Sequence, residues 1–150
     1  MVQGERLVSA MFMQPQAVTN GATATARMDT WLGPVSQPQA RYVDVDVAFA
    51  SQVNTNAVSP TVQLLESDDT VVTNFATISP IVNPTLTAPG FVRFCIDMRA
   101  RKRWLRLTVG IPTATNDNQV VSATARVRRQ LEPASIVDLG DSNSTAVIVN

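Results

Sequence analysis

Four cations stand within five residues at 99–103, where Arg99, Arg101, Lys102 and Arg103 surround Ala100, and Trp104 and Arg106 follow. Guanidinium and ammonium groups at that density suit phosphate oxygens or the carboxylates of an acidic protein face. A protein partner fits better than nucleic acid, because the aromatic side chains on which bases would stack are sparse here. The plainer reading is a solvated turn whose charges keep strand edges apart. Arg126, Arg128 and Arg129 extend the patch if their strand lies alongside.

The acids offer less. Asp44 and Asp46 would stand roughly 6–7 Å apart on one strand face, a spacing to be weighed against the carboxylate pair of a retaining glycosidase. Their regular alternation with valines marks instead a solvated or intersubunit face. Asp68 and Asp69 fit neither a calcium loop nor a catalytic dyad. Cys95, the only cysteine, lies in the apolar run 91–96 and reads as a small buried hydrophobe. A single cysteine excludes an intrachain disulfide and a cysteine-based zinc site. The chain has no histidine, so Ser-His-Asp and Cys-His nucleophile pairs and the usual zinc ligand sets are excluded. The glycines fit no phosphate-loop spacing and read as turn residues. The expectation is a protein that is not an enzyme and uses no metal or cofactor.

What must position these residues is a β scaffold. The chain has 150 residues, 45% hydrophobic and 16% charged, which suits one globular domain with a substantial core. Apolar residues at helical spacing are almost absent, and short alternating runs recur between Pro, Gly, Asn and Asp clusters. In residues 41–49, Val43, Val45, Val47 and Phe49 share one face while Tyr42, Asp44, Asp46 and Ala48 share the other. Residues 120–128 repeat the pattern, with Val121, Ala123, Ala125 and Val127 inward.

Residues 92–109 predict a hairpin with its tip at Ala100 and Arg101. Val92, Phe94 and Ile96 would oppose Val109, Leu107 and Leu105 on a buried face, with Val92 and Val109 more weakly covered at the open end. On the outer face Arg93 would meet Thr108, Cys95 would meet Arg106, and Asp97 would meet Trp104. Further strands are expected at 7–13, 22–32, 61–66 and 71–78, with a turn at 66–70. About eight strands at this spacing predict an all-β antiparallel two-sheet sandwich, first an eight-stranded jelly roll and second an immunoglobulin-like sandwich.

Residues 33–39 and 79–90 are proline-containing connectors. Residues 1–6 and 134–150 read as arms. The second is apolar at Ile136, Val137 and Leu139 and again at Val147, Ile148 and Val149. A disordered tail is usually polar, so this segment is expected to dock on its own domain or on a neighbour. Net charge is zero, yet residues 1–90 carry 3 basic and 7 acidic side chains (−4) and residues 91–150 carry 9 and 5 (+4). Such halves can pair within one molecule or between neighbours. No apolar run reaches the length of a membrane span, and the N-terminus lacks the basic lead and apolar stretch of a signal peptide.

The run Leu64-Leu65-Glu66-Ser67-Asp68-Asp69-Thr70-Val71-Val72-Thr73-Asn74-Phe75 followed by residues 94–107 resembles small virion proteins of tailed bacteriophages, the capsid decoration or cement proteins. The similarity spans about residues 40–128 and is one of pattern, without a catalytic motif. It implies a non-enzymatic accessory protein, commonly a trimer, seated on the outside of an icosahedral capsid, with the major capsid protein as partner and synthesis in the host cytoplasm. It carries over no individual functional residues; the basic cluster and the apolar C-terminal residues are the contacts expected from the residues themselves. A carbohydrate- or host-binding module of a virion vertex, tail or fibre is the alternative; such a module ordinarily shows exposed aromatics near acids, and only Trp31, Tyr42 and Trp104 are available.

Overall fold

β-branched residues crowd helices and fit a pleated surface, and most of the described residues are in strands. The structure, a computed structural model, describes residues 9–30, 42–52, 59–85, 89–113, 119–128 and 144–149. Its strands are β1 (Ser9–Val18), β2 (Thr23–Asp29), β3 (Tyr42–Gln52), β4 (Thr61–Ser67), β5 (Ala76–Thr77), β6 (Gly90–Asp97), β7 (Trp104–Gly110), β8 (Gln119–Arg128) and β9 (Ser144–Val149). Among the described residues, helix is confined to two short 3-10 turns, Val72–Asn74 and Met98–Ala100.

The strands form a five-stranded sheet in the order β1-β8-β3-β6-β9 and a four-stranded sheet in the order β2-β7-β4-β5. Within them the first strand pairs with the eighth, the second with the seventh, the third with the sixth and the fourth with the fifth, all antiparallel. That is one long hairpin folded back at β4–β5. Rolling it up adds the pairs β3–β8 and β4–β7 and divides it into two sheets. This topology is a jelly roll. The ninth strand lies outside it, running parallel to β6 from Phe91↔Ser144 to Ile96↔Val149.

The core lies between the inner faces. Val43, Val45, Val47 and Phe49 of β3 sit beside Ile96, Phe94 and Val92 of β6 on one side and Ala125, Ala123 and Val121 of β8 on the other. Leu105, Leu107 and Val109 of β7 and Val62 and Leu64 of β4 cover them from the second sheet, and all of these residues are buried. The side chain of Val127, expected in this core, lies outside the described residues.

The 92–109 hairpin does not form. β6 and β7 belong to different sheets, and their apolar rows meet the core from opposite sides. Alternation fixes which face a residue occupies but leaves the neighbouring strand open. Here residues 98–103 make a connection long enough to cross between sheets that stand about 10 Å apart. Val92 and Val109, expected near an open end, are fully buried because each has strands on both sides.

The strand expected at 71–78 is also replaced. The Asp69 carboxylate accepts hydrogen bonds from the Val71 amide and the Asn74 side chain, both at 2.8 Å, and holds a 3-10 turn where a ladder would start. Only Ala76–Thr77 pairs with β4. Beyond it the Leu64 amide donates to the Ser79 hydroxyl at 2.9 Å, and Val62 exchanges two backbone bonds with Val82, so residues 78–82 continue along the β4 edge.

Glycine is required at one position and fits closely at another. Gly21 has φ +73° in the turn from β1 to β2, closed by the Ala22 amide on the Thr19 carbonyl, a conformation L side chains resist. Gly110 lies between Thr23 and Thr61, where a Cβ would come within 2.6 Å of the Thr61 hydroxyl.

Candidate functional site

The connection from β6 to β7 carries the basic cluster, and its charges are answered by acids of the same chain. Asp97 ends β6 and accepts from the Arg99 amide at 3.1 Å, while Arg99 folds back onto the same carboxylate. Glu66 at the end of β4 accepts from the Lys102 amide at 3.0 Å and lies 3.7 Å from Arg101; both side chains of that pair are only 12% exposed. Lys102 reaches Asp68 at 3.1 Å, and Arg103 meets Asp29 of β2 at 2.8 Å. Thr30, buried beside β2, donates its hydroxyl and its amide to the Arg103 carbonyl at 2.6 and 2.8 Å. The cluster is therefore a brace that ties one crossover connection to β2 and β4.

Both halves of the charge imbalance meet here, since every acid in the brace except Asp97 comes from residues 1–90. Arg99 and Lys102 keep the most exposed heads, at 63% and 42%. Hydrogen bonding to Asp97 and Asp29 raises Arg99 and Arg103 further above the ordinary guanidinium pKa, so both remain charged at any working pH. Sequence reading missed Asp29, Glu66 and Thr30 as partners. The opposite signs of the two halves were the available signal, and strand order was needed to say which acid meets which base.

A second charged group lies on the outer face of the five-stranded sheet. Asp46 binds Arg93 of β6 at 2.6 Å and Arg126 of β8, one on each flank. The Asp46 hydrogen bond raises the Arg93 pKa against the opposing effect of burial. The solvated or intersubunit face expected for the aspartates is not simply solvated: Asp46 is the centre of a half-buried ion triad, and Asp44 is only 5% exposed. Asp44 stands opposite Cys95, which is buried as expected, though on the outer face of the sheet and not in the core cluster. Arg93 is directly opposite Asp46, and Arg106 is opposite Arg27 and Leu65, so the expected outer pairs with Thr108 and Cys95 do not occur.

Of the apolar C-terminal residues, Val149 is buried in the core and Val147 is half-buried against it. Ile148 stands opposite Cys95 in register, and its side chain lies outside the described residues. Ile136, Val137 and Leu139 also lie outside them, as do Arg129 and the segments 1–6 and 33–39. Among the described residues no cluster of His, Cys, Asp and Glu could hold a metal ion, and no helix is long and apolar enough to cross a membrane.

The eight-strand roll with its charged braces defines a jelly-roll domain. No protein-family model matches the chain, and no curated protein matches it. Among solved structures, that of the infectious bursal disease virus Gx strain shares 10% identity at a TM-score of 0.46, over 81% of this chain and 32% of that one. The crystal structure of the infectious bursal disease virus VP2 subviral particle shares 10% identity at a TM-score of 0.42, over 83% and 34%. The chain thus spans about a third of the length of each, and the likeness is one of partial fold.

Proposed function

We propose that this chain is a non-enzymatic structural protein of a virion, an accessory cement or decoration protein that binds and stabilises an icosahedral shell. The observation that carries this reading is the rolled eight-strand hairpin, an architecture used for rigid capsid parts. Its crossover connection is braced by internal ion pairs, which suits a preformed part docking without rearrangement.

The five-stranded sheet ends in β1 on one side and β9 on the other. β1 is interrupted by register shifts at Met11/Met13 and Met13/Gln16, and Met11 is 48% exposed. Bulges blunt an edge against indiscriminate strand addition, and leave apolar side chains for a shaped contact. Arg99, Lys102 and residues 134–143 are the further contacts assigned to the shell, with a trimer as the assembly unit.

Electron microscopy of the protein mixed with shells that lack it tests the proposal. The expected result is density at symmetry-related positions on the shell exterior and a raised temperature of shell rupture. Shells that stay bare at saturating protein overturn it.

A further inference from the structure

Arg93, Arg99, Arg101, Lys102, Arg103 and Arg126 each reach a carboxylate. Arg27 and Arg106 do not, among the described residues, and they stand directly opposite each other on β2 and β7. Like charges in that position repel and destabilise a sheet. Backbone carbonyls hold them without neutralising them: Arg27 Nη1 donates to the Thr70 carbonyl at 2.8 Å and Arg106 Nη1 to the Val72 carbonyl at 3.2 Å. Arg106 also lies over the Phe75 ring at 5.1 Å, and its Nε is buried without a hydrogen-bond partner.

The two guanidiniums open on a groove of about 590 Å³ on the outer face of the four-stranded sheet, lined also by Thr25, Thr70, Val72 and Trp104. Arg103 lies over the Trp104 ring at 5.4 Å. The Nη donors left over from those carbonyl bonds, one guanidinium on each side, suit the two oxygens of a carboxylate. A bare inorganic anion would satisfy them and leave the indole and Val72 unused. A pyranose ring carrying a carboxylate would engage both halves, with the threonine hydroxyls within the lining for ring hydroxyls, and the groove has the volume of a small-ligand site.

We propose that this groove binds an acidic sugar, a uronic or sialic acid borne on a glycan, with Arg27 and Arg106 clamping the carboxylate and Trp104 supplying the apolar face for the ring. The inference stands on the groove alone and is independent of the virion reading.

The test is a fluorescence titration of the full chain carrying Trp31→Phe, which leaves Trp104 as the sole indole. Calorimetry on the unaltered chain repeats the measurement if that substitution perturbs folding. The probes are glucuronic acid, N-acetylneuraminic acid, glucose, sodium sulfate and tetraglutamate. A saturable response to one or both acidic sugars, absent with glucose, is expected, and the stronger acid identifies the source. Arg27→Gln should weaken binding about tenfold or more, equivalent to about 1.4 kcal/mol, with an unfolding midpoint that does not fall because the repulsion with Arg106 is relieved, and Arg27→Lys should recover part of the loss. No response to either acidic sugar at tens of millimolar overturns the proposal. So does an equal response to sulfate, which makes the groove an anion site only, a preference for tetraglutamate, which assigns it to a protein carboxylate, or unchanged affinity in Arg27→Gln.

Discussion

Asp46 stands directly opposite Arg93 across β3 and β6, with its Oδ1 2.6 Å from the Arg93 Nε, and holds Arg126 on its other flank. One carboxylate thus joins three adjacent strands on the outer face of the larger sheet. Removing it leaves two guanidiniums without their acid on a half-buried surface. Asp46→Ala should lower stability by about 1–3 kcal/mol, below the figure for a fully buried pair because water still screens this one. The urea midpoint measures the loss. Asp46→Asn should recover little, since an amide keeps the shape without the charge.

The core beneath that face gives a larger effect. Phe94 is fully buried between Val45 and Val147 in the sheet register. Phe94→Ala should cost about 3–5 kcal/mol, because the cavity adds to the lost burial. Equilibrium denaturation with an unchanged slope against denaturant would show that the loss is one of stability and not of native compactness.

The inward rows were legible in the sequence because a period of two leaves one choice of face. Val43, Val45, Val47 and Phe49 follow it without interruption, and the same rule placed Phe94, Ile96, Leu105 and Leu107. What periodicity does not carry is partnership. Leu107 faces the core from β7 whether its strand lies beside β6 or across the sandwich from it, and both arrangements bury the same side chains. The basic cluster was legible as a cluster for the same reason that its role was not. Arg101 and Glu66 are 35 positions apart in sequence and meet only because β7 lies beside β4. At 71–78, β-branched residues predicted a strand, and the hydrogen bonds of one short acid, Asp69, outweighed that propensity.

Glu66 is the acid on which the brace depends most, since it serves both the Lys102 amide and Arg101 from a site only 12% exposed. Glu66→Gln retains an acceptor and removes the charge. It should cost about 1–2 kcal/mol and speed hydrogen exchange at the amides of residues 98–103. Equal exchange in both proteins would mean that backbone packing alone holds the connection.

Asp69 supplies a pH dependence of known sign. Hydrogen bonds from the Asn74 side chain and the Val71 amide, joined by weaker help from Ser67 and Lys102, hold its pKa below the ordinary aspartate value, against a small opposing effect of desolvation. A carboxyl with a depressed folded-state pKa contributes stability that is present above its unfolded value, about 3.9, and is lost as pH falls through the folded value. Unfolding midpoints measured from neutral pH downward should therefore decline in that acidic window. Asp69→Asn should start lower at neutral pH and lose that part of the decline.

The parallel strand β9 decides how the C-terminal segment behaves when removed. The eight-strand roll is closed without it, so a chain lacking residues 134–150 should still fold. It should be less stable, because Val149 leaves the core and burial of a valine is worth about 1.5–3 kcal/mol. The loss of β9 also turns β6 into an open edge along residues 91–96, which are apolar apart from Arg93. An edge of that kind pairs with other chains, so the truncated protein should form irregular aggregates that a Phe91→Lys substitution, on the outer face, suppresses. Analytical ultracentrifugation distinguishes this from the loss of a defined oligomer: broad, concentration-dependent species mark the exposed edge, whereas a single shift from trimer to monomer marks residues 134–150 as the contact between subunits.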